Sequence, residues 1–257
     1  MPVELLLAFA IAFAVAVATA PVGISGAVFL VPVQLSVLGT ASQAVAATNL
    51  LYNLIAIPGP LLSYRQRGRL WGRMAKLMVL GTVPGMAIGV ALRVTAFSGS
   101  DSYLLLVAAV LGSLGLWLLF HPAPRGDAQA RLGTGAVVTV SAAVGAVGGI
   151  YGIGGGALLA PLLVGAGFAV VEVAPAALLT TLITSAAGLV FFFFASAVGA
   201  AGFLPEWPVA LALGLGGLSG GFAGATLQPR LPEDTLRYLL AFVALGAAVF
   251  YLLRSIS

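Results

Sequence analysis

Four polar side chains stand close together in an otherwise apolar stretch: Thr48, Asn49, Tyr52 and Asn53. Positions i, i+1, i+4 and i+5 share one face of a helix. Thr180, Thr181, Thr184 and Ser185 repeat the same spacing in the second half of the chain. Neutral amides and hydroxyls placed this way suit an anion that must bind and then leave. A buried Asn is costly in lipid unless it faces a partner or water. For the hydroxyls there is a second reading, because Ser and Thr also bond back to their own helix.

Each polar face follows a glycine-rich break. The first is Gly23-Ile24-Ser25-Gly26 after Pro21, and the second runs from Tyr151 and Gly152 through Gly154, Gly155 and Gly156. The second formally fits a dinucleotide-binding glycine pattern. That pattern needs a preceding strand and a βαβ unit, and here apolar runs flank it, so a nucleotide site is rejected. A helix that starts inside a membrane offers free N–H groups and the positive end of its dipole, and such an end attracts anions. The other reading is a hinge that permits close packing. The candidate binding residues are therefore Ser25, Gly26, Thr48, Asn49, Tyr52, Asn53, Tyr151, Gly154, Gly155, Gly156, Thr181, Thr184 and Ser185.

The elements that must carry these residues are membrane helices. The chain has 257 residues, 61% of them hydrophobic and only 7% charged. So few charges cannot wet a soluble surface of this size, which excludes a soluble enzyme or nucleic-acid binder. The absence of cysteine excludes disulfides and thiol chemistry and leaves the redox compartment open. The lone His121 sits in a connector without other metal-ligating neighbours, so no metal or other cofactor is expected.

Apolar runs at 3–20, 27–38, 43–64, 73–93 and 101–120 precede a polar connector at 121–131. Runs at 133–150, 157–168, 172–196, 206–227 and 235–253 follow it. The start, Met1-Pro2-Val3-Glu4, lacks the basic leader of a signal peptide, so the first run is expected to be a retained helix. Acidic and basic residues keep to the ends of these runs, as Glu4, Lys76, Arg93, Glu172, Glu206 and Arg254 do. An acid-lined cation path is therefore disfavoured.

The second half repeats the first. Val22–Pro32 aligns with Tyr151–Pro161, matching Gly23 to Gly152, Ile24 to Ile153, Gly26 to Gly155, Leu30 to Leu159 and Pro32 to Pro161. Gly81, Gly85 and Gly89 align with Gly216, Gly220 and Gly224. These glycine ladders are expected to pack helices closely. Arg65, Arg67, Arg69 and Arg73 load one loop of the first half, while the equivalent loop at 197–206 has no basic residue. The next pair reverses this, with Arg230 and Arg237 in the second half against Arg93 in the first. Basic loops mark the cytoplasmic side, so equivalent loops should face opposite sides.

The expected fold is an all-α polytopic membrane protein of about ten transmembrane segments, arranged as two inverted five-segment repeats with broken or short helices at the glycine breaks. Residues 1–120 and 132–257 form the repeats, and 121–131 forms a cytoplasmic connector. If 24–38 and 153–170 re-enter rather than cross, each repeat has four crossings and the repeats run parallel.

At these residues the chain resembles the sulfite exporter TauE/SafE family of bacterial and archaeal permeases, over nearly its whole length. The glycine-rich break followed by apolar residues and a proline stands here as Gly152–Pro161. Ala47-Thr48-Asn49 resembles the family's Gly-Thr-Ser, and Thr184-Ser185 with Gly188 resembles its later Thr-Ser…Gly. The first break departs, with Ser25 and Ala27 where the second has Gly154 and Gly156. Ala177-Leu178 also replaces the Thr48-Asn49 pair, so equivalent half-sites are not expected. The resemblance implies a permease in a prokaryotic inner membrane that exports sulfite, a sulfonate or a related organosulfur anion. Its partners would be that small anion and membrane lipid, with no nucleic acid and with room for a homo-oligomer. A passive anion channel without ion coupling is the alternative. A lipid-modifying membrane enzyme is disfavoured, because no catalytic constellation is present.

Overall fold

A computed structural model describes residues 2–68, 70–96, 132–200 and 202–256, together with 108, 109, 112, 113, 115, 116, 119 and 120. Most of the run at 101–120 and all of the connector at 121–131, His121 included, lie outside the described residues. Among the described residues the regular structure is helical throughout. The helices are α1 (Pro2–Thr19), α2 (Ala27–Ser36), α3 (Ser42–Ala56), α4 (Pro58–Arg65), α5 (Arg73–Thr95), α6 (Thr134–Tyr151), α7 (Gly156–Gly165), α8 (Val170–Ala197), α9 (Trp207–Leu227) and α10 (Glu233–Ile256). Among the described residues, six segments are long and apolar enough to cross a membrane: Val3–Val22, Gln43–Arg65, Arg73–Thr95, Thr134–Tyr151, Val170–Ala197 and Trp207–Arg230.

The run expected as one helix over 43–64 is two abutting helices, α3 and α4. Pro58 and Pro60 each lack a backbone N–H, so the ladder is interrupted there. The α2 and α7 helices have ten residues each, about 15 Å at 1.5 Å per residue. That is half of a bilayer core of about 30 Å.

Both glycine breaks end the preceding helix in the left-handed region. Gly23 has φ +78° and Gly152 has φ +69°. Each also has backbone pressed against it. A Cβ at Gly23 would strike the Ala174 backbone, and one at Gly152 would strike the Ala46 backbone. Glycine is required at both places for two independent reasons.

The glycine ladders set the directions of the long helices. Gly81, Gly85 and Gly89 of α5 lie against the carbonyls of Val138, Ala142 and Ala146 of α6. Numbers rise together, so α5 and α6 run parallel. Gly216, Gly220 and Gly224 of α9 lie in the same way against Phe9, Phe13 and Val17 of α1. No side chain separates these backbones, the contact that small residues permit in lipid.

At the centre, α3 and α8 cross antiparallel. Leu50 meets Gly188, and further along α3 Asn53 meets Ser185. Likewise Gly112 packs on Ala248 and Gly115 on Leu245, so the described residues of 101–120 run antiparallel to α10.

Candidate functional site

The site is assembled on α3 and α8, with the two breaks folded against them. Asn53 stands at its centre, fully buried. Its Oδ1 accepts a hydrogen bond from the Ser25 hydroxyl, and its Nδ2 donates to Ser185 Oγ at 3.1 Å. Gly154 completes the string, because a Cβ there would lie 3.2 Å from Ser185 Oγ and 2.5 Å from Thr181 Cγ2. Ser25 of the first break and Gly154 of the second are thus brought together through Asn53 and Ser185.

Hydroxyl groups cap both helix starts. The Ala27 N–H donates to Ser25 Oγ at 3.2 Å, and the Gly155 N–H donates to Thr184 Oγ1 at 3.1 Å. These N–H groups are among the orphans that a helix start leaves without an intrahelical acceptor. Gly26 and Gly156 make the approach close enough. A Cβ at Gly26 would come within 2.5 Å of the Tyr52 hydroxyl, and one at Gly156 would strike the Ala177 carbonyl and approach Thr181 Oγ1.

Other candidates have different work. The Thr181 hydroxyl donates to the Ala177 carbonyl at 2.9 Å, and that of Thr184 to the Thr180 carbonyl at 2.8 Å. The back-bonding reading therefore holds for both, although Thr184 still accepts from Gly155. Thr48 donates to Ala44 at 2.8 Å and accepts from the Glu206 N–H at 2.9 Å. Its hydroxyl ties down the loop before α9 and takes no part in the Asn53 string. Tyr151 is buried at the end of α6. Asn49 is also buried, and its Oδ1 accepts from Gln34 Nε2 at 2.5 Å.

Gln34 is absent from the sequence-based candidates. A signal was available: it is the one amide in the apolar run Ala27–Leu38, and such a residue within a span points to function.

Both ends of the polar string are closed. On the side of loop 66–72, the Tyr64 hydroxyl donates to the Ala20 carbonyl at 2.9 Å and Gln228 Nε2 donates to the Pro21 carbonyl at 2.6 Å. Arg67 Nη1 holds the Ala225 carbonyl at 2.8 Å, while Nη2 holds Ser63 Oγ at 3.0 Å. Outside this clamp opens a cavity of about 470 Å³ lined by Tyr64, Arg67, Glu172, Pro175 and Gln228 among others. A larger cavity of about 570 Å³, bordered by Arg73, Thr134 and Phe168, includes no residue of the string.

At the other end, Glu206 Oε1 accepts from the Ala41 N–H at 3.1 Å, where the N-terminus of α3 favours negative charge. Phe203 is buried and stacks on Phe192 with centroids 6.1 Å apart. The space beside Ser25 and Gly26 is about 10 Å³. That is room for one water at most.

Comparison with known proteins points to membrane transporters. Two relatives, each named a probable membrane transporter protein, come from Xylella fastidiosa. The one from strain Temecula1 is 25% identical over 253 residues, covering 91% of this chain and 89% of the relative. The one from strain 9a5c is 26% identical over 240 residues, covering 85% of this chain and 80% of the relative. No solved structure matches the chain significantly. The family model for the sulfite exporter TauE/SafE matches residues 8–251, and with that span the chain belongs to the sulfite exporter TauE/SafE family of integral membrane transporters.

Proposed function

We propose that this transporter exports sulfite, a sulfonate or a related organosulfur anion by alternating access around the Ser25–Asn53–Ser185 string. The observation that carries the reading is the string itself. Neutral donors from both halves of the chain meet between two helix starts. An anion leaving water must recover hydrogen bonds, and hydroxyls, amides and backbone N–H groups supply them without a fixed charge. Broken helices at matching places in two repeats are the common pointer to a transport site. The clamp at Tyr64, Arg67 and Gln228 and the closure at Glu206 and Phe203 favour a carrier over a continuous pore.

The ten-segment inverted arrangement is part of the same proposal. An axis in the membrane plane makes counterpart helices antiparallel where they cross, as α3 and α8 are. It also exchanges the α5–α6 contact with the α9–α1 contact, in each of which the fourth segment of one repeat packs parallel to the first helix of the other. In addition, the segment after α1 meets Tyr64 at Ala20, Asn53 at Ser25 and Asn49 at Gln34. Those contacts descend α4 and α3 over fifteen positions, roughly 22 Å at 1.5 Å per residue. On this reading an extended half and the helical half α2 together make the second crossing.

The test is counterflow of labelled sulfite in proteoliposomes, with Asn53→Leu as control. Saturable counterflow that is lost in the variant supports the carrier. Flux proportional to concentration, without counterflow, would establish the passive channel instead.

A further inference from the structure

Gln34 and Asn49 are both fully buried and share a single hydrogen bond, from Gln34 Nε2 to Asn49 Oδ1. Asn49 Nδ2 and Gln34 Oε1 have no partner. One donor atom and one acceptor atom therefore stand open, one on each amide of the pair, both buried. Turning both amides over reverses the shared bond and again leaves one donor and one acceptor. The open chemistry is thus the same in either orientation.

The neighbouring polar groups do not fill it. Thr48 is committed to Ala44 and Glu206, and both polar atoms of Asn53 are used. Asn49 and Asn53 are four positions apart on α3, about 5–6 Å between Cβ atoms. That is the scale of a small oxyanion touching both.

We propose that Gln34 and Asn49 form a subsite that reads the protonation state of the transported oxyanion, holding one that keeps an O–H and rejecting one that has lost it. This rests on the proposed seating of an anion at the Asn53 string. A fully deprotonated oxyanion offers acceptors only. It satisfies the open amide N–H but sets a negative oxygen against the open amide carbonyl. An oxyanion with one O–H meets both, its hydroxyl donating to the carbonyl while a second oxygen accepts from the N–H. Desolvation acts in the same direction. Taking charge out of water is expensive, and no cationic side chain belongs to the string to offset a second negative charge. For sulfite the selected species is hydrogensulfite.

Calorimetric titration of the purified full chain in detergent tests this. Sulfite is titrated on the acid and alkaline sides of its hydrogensulfite ionisation. Methanesulfonate, a sulfur oxyanion that carries one negative charge on both sides and has no O–H, is the second probe. Sulfite should bind about tenfold more tightly than methanesulfonate on the acid side, the worth of one hydrogen bond to a charged group. It should lose that advantage on the alkaline side while methanesulfonate is unchanged. In Gln34→Leu and Gln34→Met the acid-side affinities should become roughly equal.

Sulfite binding that is as tight on the alkaline side, or equal to methanesulfonate on both sides, overturns the subsite and leaves the anion site standing. Failure of the wild-type chain to bind either anion overturns the anion site itself and the subsite with it. The wild-type comparison decides the matter even where the Gln34 variants do not fold.

Discussion

Asn53 donates to Ser185 at 3.1 Å although the two residues are 132 positions apart. The bond ties the polar face of α3 to the polar face of α8 at the point where both glycine breaks arrive. Since Asn53 also accepts from Ser25, one amide links three segments. In the proposed carrier, a motion that separates the halves exchanges these bonds for bonds to the transported anion.

Replacing Asn53 therefore separates binding from folding. Asn53→Leu keeps the volume and removes both bonds, leaving Ser25 and Ser185 without this partner. Anion affinity should fall by about 1–3 kcal/mol, the cost of an unmet buried polar contact, and thermal stability should drop by a similar amount. Asn53→Asp keeps the shape but places a carboxylate at the proposed seat of the anion. Binding by calorimetry should vanish in the Asp variant even where its melting temperature exceeds that of the Leu variant. Retained binding in Asn53→Asp would remove the anion from this position.

The glycine ladder makes a sharper structural prediction. At Gly85 a Cβ would run into the Ala142 carbonyl, a backbone atom that cannot turn aside. At Gly135, on the first turn of α6, a Cβ meets nothing within 4 Å. Gly85→Ala should force α5 from α6 and lower both the folded yield and the melting temperature. Gly135→Ala should be neutral or stabilising by up to about 1 kcal/mol, because alanine is the better helix former. Size-exclusion yield and thermal melting compare the two directly. Equal behaviour would mean that the α5–α6 contact is looser than its geometry indicates.

Much of this architecture is legible in the residues. Apolar length marks α1, α5, α6, α8 and α9 within a few positions, because lipid demands continuous helices with satisfied backbones. Pro21 and Gly23 mark the end of α1, and Gly152 the end of α6, since each residue type constrains φ. The division of α3 from α4 was signalled by Pro58 and Pro60 but masked by continuous hydropathy. In the candidate site, helical spacing puts Thr48 and Asn49 on one face with Asn53, yet spacing cannot say what that face meets. Thr48 meets the loop at Glu206, more than 150 positions away, and Asn49 meets Gln34. Such pairings come from tertiary packing, on which local periodicity is silent.

The proposed inversion can be read by labelling. The chain contains no cysteine, so single cysteines report cleanly. Gly68, in the basic loop, has open space around it, and Leu204, in the loop before α9, is exposed. Gly68→Cys and Leu204→Cys should react with a membrane-impermeant thiol reagent from opposite sides of the membrane, Gly68→Cys from the cytoplasm. Reaction from the same side would require parallel repeats with four crossings each.

The two closures should act as separate gates. Arg67 ties the end of α9 to α4 through the Ala225 carbonyl and Ser63, and Thr48 ties Glu206 to α3. Neither tie reaches the Ser25–Asn53–Ser185 string, so loosening one should open a path without rebuilding the seat. Arg67 is exposed, so its hydrogen bonds lie at or below the low end of about 1.5–3 kcal/mol for charged groups. A loss near 1.4 kcal/mol raises the open population about tenfold. Ser25→Cys, buried at the seat, reports that population by its rate of alkylation. In the Arg67→Ala background the rate should rise about tenfold from the cytoplasmic side and stay unchanged from the other. Thr48→Val should do the reverse with a smaller gain, because the bond that it removes is neutral. A rise from both sides in either background would describe a pore with one gate, and the carrier reading would give way to the channel.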